Sequence, residues 1–298
     1  MRSFRIGVMS DSFRLPPREG IRKAAEVGAQ GFQLYVVEGD ITPEAMGPED
    51  RREFRSFVAD TGLEIAALCG DLGGHGFQVA ADNTWKVERS QRIVDLAVDL
   101  GTAVVTTHIG VVPGRVDDTY RTMTDACNRI GAYAEERGVR FAVETGPETA
   151  ARLRSFLEDL DTDGIGVNLD PANLVMVTGD DPVRAVDTLA PWIVHTHAKD
   201  GMNLAPCDPV KVYHAFAEGG IEGFDFGRYF NEVPLGEGDV DFPAWIRALG
   251  TIGYEGFLTI EREVGDNPEK DIRAAVRFLR QTLAELGLTD TTGAAPPS

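Results

Sequence analysis

Four successive short apolar runs, from residue 140 on, each deliver a group that can carry chemistry. Run 140–145 ends Val143-Glu144-Thr145, and run 165–170 ends Asn168-Leu169-Asp170. Run 192–197 carries His195 and His197, and run 257–261 closes on Glu261. If these runs are adjacent strands, three carboxylates and an imidazole meet at one rim. Carboxylates crowded into a low-dielectric mouth repel one another, and their pKa values rise. A divalent cation removes that conflict. Three carboxylate oxygens and one imidazole nitrogen suit Mn²⁺ first, with Mg²⁺, Co²⁺ or Zn²⁺ as alternatives. The expected ligands are therefore Glu144, Asp170, His197 and Glu261. A plainer reading makes each a polar cap on the helix that follows; it competes for any one of them but less well for four in series.

The histidines separate by position. Residues i and i+2 of a strand face the same way, so His195 and His197 both point inward. His197 stands level with the other ligands. His195 is expected one layer lower, beside Thr259, Asn168 and Ala142, as a satisfied histidine that supports the site. His108 closes Thr106-Thr107-His108-Ile109-Gly110 and has three readings: a hydrogen bond to substrate, a fifth ligand, or a strand end facing solvent. His75, in Gly73-Gly74-His75-Gly76, gives a weak signal, and His214 gives none. Arg115 could meet a phosphate, although an exposed loop arginine is the commoner explanation.

These groups need a frame. Eight apolar runs recur along the chain, at 4–9, 31–35, 64–69, 103–108, 140–145, 165–170, 192–197 and 257–261. Unbroken apolar character over about five residues is what a parallel strand buried on both faces requires. The stretches between have helical period: Ile93, Leu96, Ala97 and Leu100; Met123, Ala126, Cys127 and Ile130; Ile272, Val276, Leu279, Leu283 and Leu286. Glycines 28, 62, 101, 138, 253 and 287 stand where helices should end. Eight strand–helix units in series predict a (β/α)8 TIM barrel over residues 1–288. A doubly wound sheet is less expected, because no G-x-G-x-x-G follows the first run. Active sites of such barrels lie at the C-terminal ends of the strands, where the four groups fall. Residues 201–239 interrupt the rhythm with Tyr213, Phe216, Phe224, Phe226, Tyr229 and Phe230, as a lid or a subunit contact would. Residues 289–298 are expected to be a disordered tail.

Composition narrows the function classes. The chain has 298 residues, 29 Lys and Arg against 48 Asp and Glu, and a net charge of −19. Such a surface repels phosphate backbones and anionic lipid, so nucleic-acid and membrane partners are not expected. Three scattered cysteines form neither a disulfide framework nor a thiolate zinc site. With no signal-peptide pattern and no apolar run of membrane-spanning length, a cytoplasmic protein is expected.

At these residues the sequence resembles the sugar phosphate isomerase/epimerase family of xylose-isomerase-like metal-dependent barrels. The likeness is carried by Thr107-His108-Ile109-Gly110, Val143-Glu144-Thr145-Gly146, Asn168-Leu169-Asp170-Pro171-Ala172-Asn173-Leu174, His195-Thr196-His197-Ala198-Lys199-Asp200, Pro234-Leu235-Gly236-Glu237-Gly238-Asp239-Val240-Asp241 and Gly253-Tyr254-Glu255-Gly256 before Ile260-Glu261. It implies that Glu144, Asp170, His197 and Glu261 hold one divalent metal. It also implies that Glu144 and Glu261 face opposite sides of a sugar carbon and exchange its proton, through an enediolate that the metal stabilises. Ketose 3-epimerases of the family usually carry a histidine three residues after the metal Asp and an arginine six after the metal His. Asn173 and Asn203 occupy those places. Asn173 could still bond a substrate hydroxyl, and Lys199 could offer a cation.

The function expected is a metal-dependent sugar isomerase or epimerase acting on a small carbohydrate or polyol. A dehydratase on a keto-sugar or inosose is the alternative, since the same metal and base can expel a β-hydroxyl. An apurinic-site endonuclease needs three zinc ions and more histidines than the five present, and a non-catalytic metal- or sugar-binding barrel is the remaining class. The aromatic insertion is consistent with a homo-oligomer.

Overall fold

The computed structural model describes residues 3–219 and 225–290. Eight parallel strands close into a barrel: β1 Ser3–Met9, β2 Gly31–Tyr35, β3 Glu64–Cys69, β4 Val104–Thr107, β5 Arg140–Glu144, β6 Ile165–Leu169, β7 Ile193–Ala198 and β10 Phe257–Ile260. Each pairs with the next, and β10 pairs with both β7 and β1, Ile6 lying opposite Leu258. Each strand lies within one residue of its predicted run.

The helices between them are α1 Pro17–Glu26, α2 Pro48–Thr61, α3 Ala80–Leu100, α4 Asp118–Glu136, α5 Ala150–Glu158, the one-turn α6 Pro171–Asn173, α7 Pro182–Leu189, α9 Phe242–Ile252 and α10 Pro268–Glu285. Their predicted stripes face the strands: Ile93, Leu96, Ala97, Leu100, Met123, Ala126, Cys127, Ile130, Ile272, Val276, Leu279 and Leu283 are buried, and Leu286 is half-buried. The six helix-end glycines have positive φ. The barrel interior beneath its C-terminal rim is polar. Gln33, Thr106, Asn168, His195 and Thr259 are at most 1% exposed there, so their partners come from within the protein: Gln33 meets Thr106 and His195, His195 meets Thr259, and Asn168 reaches up to Glu144.

The insertion after β7 is ordered, not a simple loop. It contains β8 Asp200–Asn203, α8 Pro209–Ala217 and β9 Phe230–Val233, with β8 and β9 antiparallel. Its base is fixed by Asp200, a fully buried carboxylate. Oδ1 accepts from the backbone N–H of Gly201 and Val240, and Oδ2 from those of Gly236 and Gly238. Arg262, just past β10, donates to Glu232 of β9 at 2.7 Å and to Asp271 of α10 at 3.0 Å, so the hairpin is held over the barrel mouth. Phe224 lies outside the described residues. Thr289–Asp290 form a short β11 beside β1, so the predicted tail begins with paired backbone; the rest of it, 291–298, lies outside the described residues.

Candidate active site

His197 sits at the centre of the cluster. Its Nδ1 lies 3.5 Å from Glu144 Oε1, 3.5 Å from Asp170 Oδ2 and 3.3 Å from Glu261 Oε2. All four residues are buried, and one ligand atom from each falls within 4.8 Å of the others. Burial disfavours a charged imidazole, but Glu261 and Glu144 outweigh it and hold His197 well above its ordinary pKa. Burial alone would raise Glu261; Lys199 and His197 reverse that and keep it low. Glu144 is kept low in the same way by His197 and His108.

Asp170 tests whether a cation fits. Its Oδ1 accepts from the backbone N–H of Asn173 at 2.9 Å, with Pro171 at the first helical position, so it does cap the next helix. Its Oδ2, though, is buried without a hydrogen-bond partner and faces the cluster. An orphaned buried carboxylate oxygen among two other carboxylates and an imidazole is a donor set for a hard or borderline divalent ion. The residues therefore fit the group.

The second nitrogen of His197 is oriented from below by a residue the sequence reading missed. Gln33 Oε1 lies 3.2 Å from His197 Nε2 and 2.8 Å from His195 Nε2, while Gln33 Nε2 donates to Thr106 Oγ1. With Nε2–H donated to Gln33, Nδ1 is the nitrogen that would be left to a cation once the ring gives up its second proton. His195 also lies 3.1 Å from Thr259 Oγ1, and burial beside His197 holds its pKa well below normal.

The other candidates divide. His108 faces the cleft: Nδ1 lies 3.1 Å from Asp71 Oδ2 and Nε2 3.7 Å from Glu144 Oε1. Burial works against its charge, but Glu144 and Asp71 push its pKa up to about 10. Lys199 Nζ donates to Glu261 Oε2 at 3.1 Å and also to Glu263. Asn173 turns its amide inward and donates to Glu144 Oε1 at 3.1 Å and Thr145 O at 3.3 Å; Asn168 donates to Glu144 Oε2 at 3.1 Å. Asn203 lies away from the cluster, its amide on the carbonyls of Val175 and Met176. Arg115 is exposed beside Asp117. His75 stacks on His214 with ring centroids 5.1 Å apart and meets Glu218 at 2.8 Å, a second group of metal-ligating types at the mouth.

Asp71 was missed because it follows β3 and had no partner visible in sequence. These groups open into a cavity of about 700 Å³ whose far side is formed by the insertion. The arrangement can remove a proton from an oxygenated carbon compound, hold the charge that develops, and supply a proton from His108 or Lys199.

Comparison with known proteins places this geometry in a family. A curated inosose dehydratase of Lacticaseibacillus casei is 27% identical over 179 residues, which cover 57% of each chain. A 3-dehydroshikimate dehydratase of Bacillus anthracis is 25% identical over 266 residues, 87% of this chain and 89% of that one. The chain spans about half the length of the inosose dehydratases it matches. The solved structure of a D-tagatose 3-epimerase-like protein superposes with a TM-score of 0.72 at 19% identity, covering 95% of this chain and 98% of the other. The profile of the xylose isomerase-like TIM barrel family matches residues 21–282, and the chain belongs to that family.

Proposed function

We propose that the chain is a divalent-metal-dependent lyase that removes water from a neutral keto-sugar or cyclic polyol ketone. The observation that carries this reading is the place of His108 at the edge of the cluster that holds both Glu144 and Glu261, the base. A buried carboxylate cluster lies 3.7 Å from an imidazole that Asp71 and Glu144 hold protonated. A base and a fixed acid on one cleft are what elimination needs.

Glu144, Asp170, His197 and Glu261 would hold the ion, with Mn²⁺ first. When bound, it would act as a Lewis acid toward the substrate carbonyl. Glu261 takes the proton from the carbon beside that carbonyl. The C–H electron pair becomes a C=C bond, the C–O bond at the next carbon breaks, and the leaving hydroxide takes a proton from His108 as water. Glu261 and His108 then exchange protons with solvent, so the cycle balances. Lys199 and Asn173 hold the two glutamates in place. The lining contains no arginine among the described residues, and its carboxylates outnumber its cations, so a phosphorylated substrate is disfavoured. The names of the two curated relatives support the lyase outcome. So do Asn173 and Asn203, which replace the residues usual in ketose 3-epimerases.

Isomerisation or epimerisation is the second reading, favoured by the convergence of Glu144 and Glu261 on His197. One experiment separates them. The Mn²⁺-loaded protein is incubated in D₂O with a keto-inositol and with ketohexoses, and the products are weighed by mass spectrometry. Loss of one water supports the lyase; deuterium uptake without water loss supports epimerisation. Neither change in any substrate, with metal verified, removes both.

A further inference from the structure

The cavity has two chemically different halves. Its floor is the cluster of charged groups around Glu144 and Glu261. Its outer wall is a row of rings from the insertion, and the row starts at the floor: His108 and Tyr213 have centroids 6.0 Å apart. Tyr213 then contacts Phe216 at 5.9 Å, Phe216 stacks on Phe226 at 4.4 Å and 13°, and Phe226 meets Phe230 at 6.0 Å. Val210, Phe216 and Val264 on the same lining are 58%, 54% and 46% exposed. In a chain of net charge −19, apolar surface concentrated on one side of a polar site marks something to be covered.

Size says what covers it. A hexose has about a dozen heavy atoms. Even at the roughly 30 Å³ that a whole water molecule occupies, an overestimate for bonded atoms, it fills at most about 360 Å³. That is about half of the 700 Å³ available. A cavity of this size accommodates a ligand of two joined parts. We infer that the substrate is an oxygenated ring carrying an apolar, aromatic substituent: the ring sits on the metal-binding floor and the substituent packs on the wall of Phe216 and Phe226. The inference rests on the proposed carbohydrate reading for its polar half only; the wall stands without it.

The test uses binding, by calorimetry on the Mn²⁺-loaded protein, of 4-nitrophenyl β-glucoside, methyl β-glucoside and 4-nitrophenol. The aryl glucoside should bind at least about tenfold more tightly than the methyl glucoside, the gain expected for burying one ring. The double variant Phe216→Ala, Phe226→Ala should erase that preference and leave the methyl glucoside within about twofold. Phe216 is more than half exposed, so its truncation spares the core. Equal affinities for the two glucosides, or a preference that survives the double variant, would overturn the inference. So would equal affinities together with dissociation of an oligomer by the double variant, which would make the wall a subunit contact. Failure of the metal reading is told apart by repeating the titration on metal-stripped protein. If sugar binding proves independent of metal while 4-nitrophenol still binds and the aryl preference persists, the wall assignment holds and only the floor chemistry falls.

Discussion

Lys199 Nζ lies 3.1 Å from Glu261 Oε2, and both groups are buried. The ammonium is the largest influence that opposes burial and keeps Glu261 ionised. Removing it from a buried pair leaves the carboxylate beside Glu144 and Asp170 with less compensation. Lys199→Met should therefore move the acid limb of the pH–rate profile to higher pH and lower activity at neutral pH by at least about tenfold. Lys199→Arg, which keeps the charge, should hold the limb near its original place. An unmoved acid limb in the methionine variant would show that Lys199 acts elsewhere.

Glu261 has two tasks, and they can be separated. Gln keeps one oxygen for a cation but cannot take a proton. Glu261→Gln should abolish exchange of the substrate C–H with solvent deuterium while metal content falls only partly. Wild-type deuterium uptake in this variant removes Glu261 from proton transfer.

The orphaned Oδ2 of Asp170 predicts a crossed stability pattern. Mn²⁺ or Co²⁺ added to the metal-free protein should raise Tm, since a ligand at a thousand times its Kd stabilises by about 4 kcal/mol. Asp170→Asn keeps an oxygen to accept from Asn173 N–H, so the helix cap survives. It removes one of three clustered negative charges. The metal-free variant should be at least as stable as the metal-free wild type and should gain little on adding metal. A full metal-induced rise in the variant would exclude Asp170 as a ligand.

Glu148, between β5 and α5, is buried with Oε1 unpartnered and Oε2 accepting from Val112 N–H at 3.2 Å. Burial pushes its pKa up to about 8, against the Val112 bond, His108 and Arg152, from an ordinary 4.5. The folded chain thus keeps a proton that the unfolded chain has released. Stability should fall as pH rises from about 4.5 to about 8, by at most about 1.4 kcal/mol per unit, and level off above. Glu148→Gln should flatten this slope in urea melts and be the more stable chain at pH 8. An unchanged slope would place the proton elsewhere.

The frame and the four clustered groups were legible in sequence because each followed an unbroken apolar run, and a parallel barrel turns chain order into neighbourhood. Gln33 left a weaker mark, a lone polar residue inside Gly31-Phe32-Gln33-Leu34-Tyr35. Its partners, His195 and His197, lie more than 160 positions away, and only barrel closure brings them together. The sequence marks Asn173 as a group for substrate; its amide lines the cavity and donates to Glu144, a placement set by the α6 turn. The insertion was legible as aromatic but not as a hairpin. Its anchor, Asp200, makes only backbone contacts, which no spacing of side chains announces.

The loops after β3 and β4 carry Asp71, His75 and His108, and they interlock at Gly76. Its φ is +57°, and a Cβ there would lie 2.1 Å from the Ile109 carbonyl carbon, with Phe77 N–H donating to Ile109 O at 2.9 Å beside it. Backbone cannot swing aside as a flexible side chain would, so Gly76→Ala must part the two loops. The cost combines left-handed strain of about 1 kcal/mol with an overpacking term of about 1–3 kcal/mol. Gly39→Ala separates the two contributions: φ is +75° there, but nothing lies within 4 Å of the added carbon. Gly39→Ala should therefore cost only the strain and keep activity, whereas Gly76→Ala should cost more in denaturant melts. By shifting Asp71 off His108, Gly76→Ala should also lower the His108 pKa, read by NMR of the imidazole. Equal costs for the two variants, with an unshifted His108, would mean that the loops yield independently and that the Asp71–His108 pair does not depend on this contact.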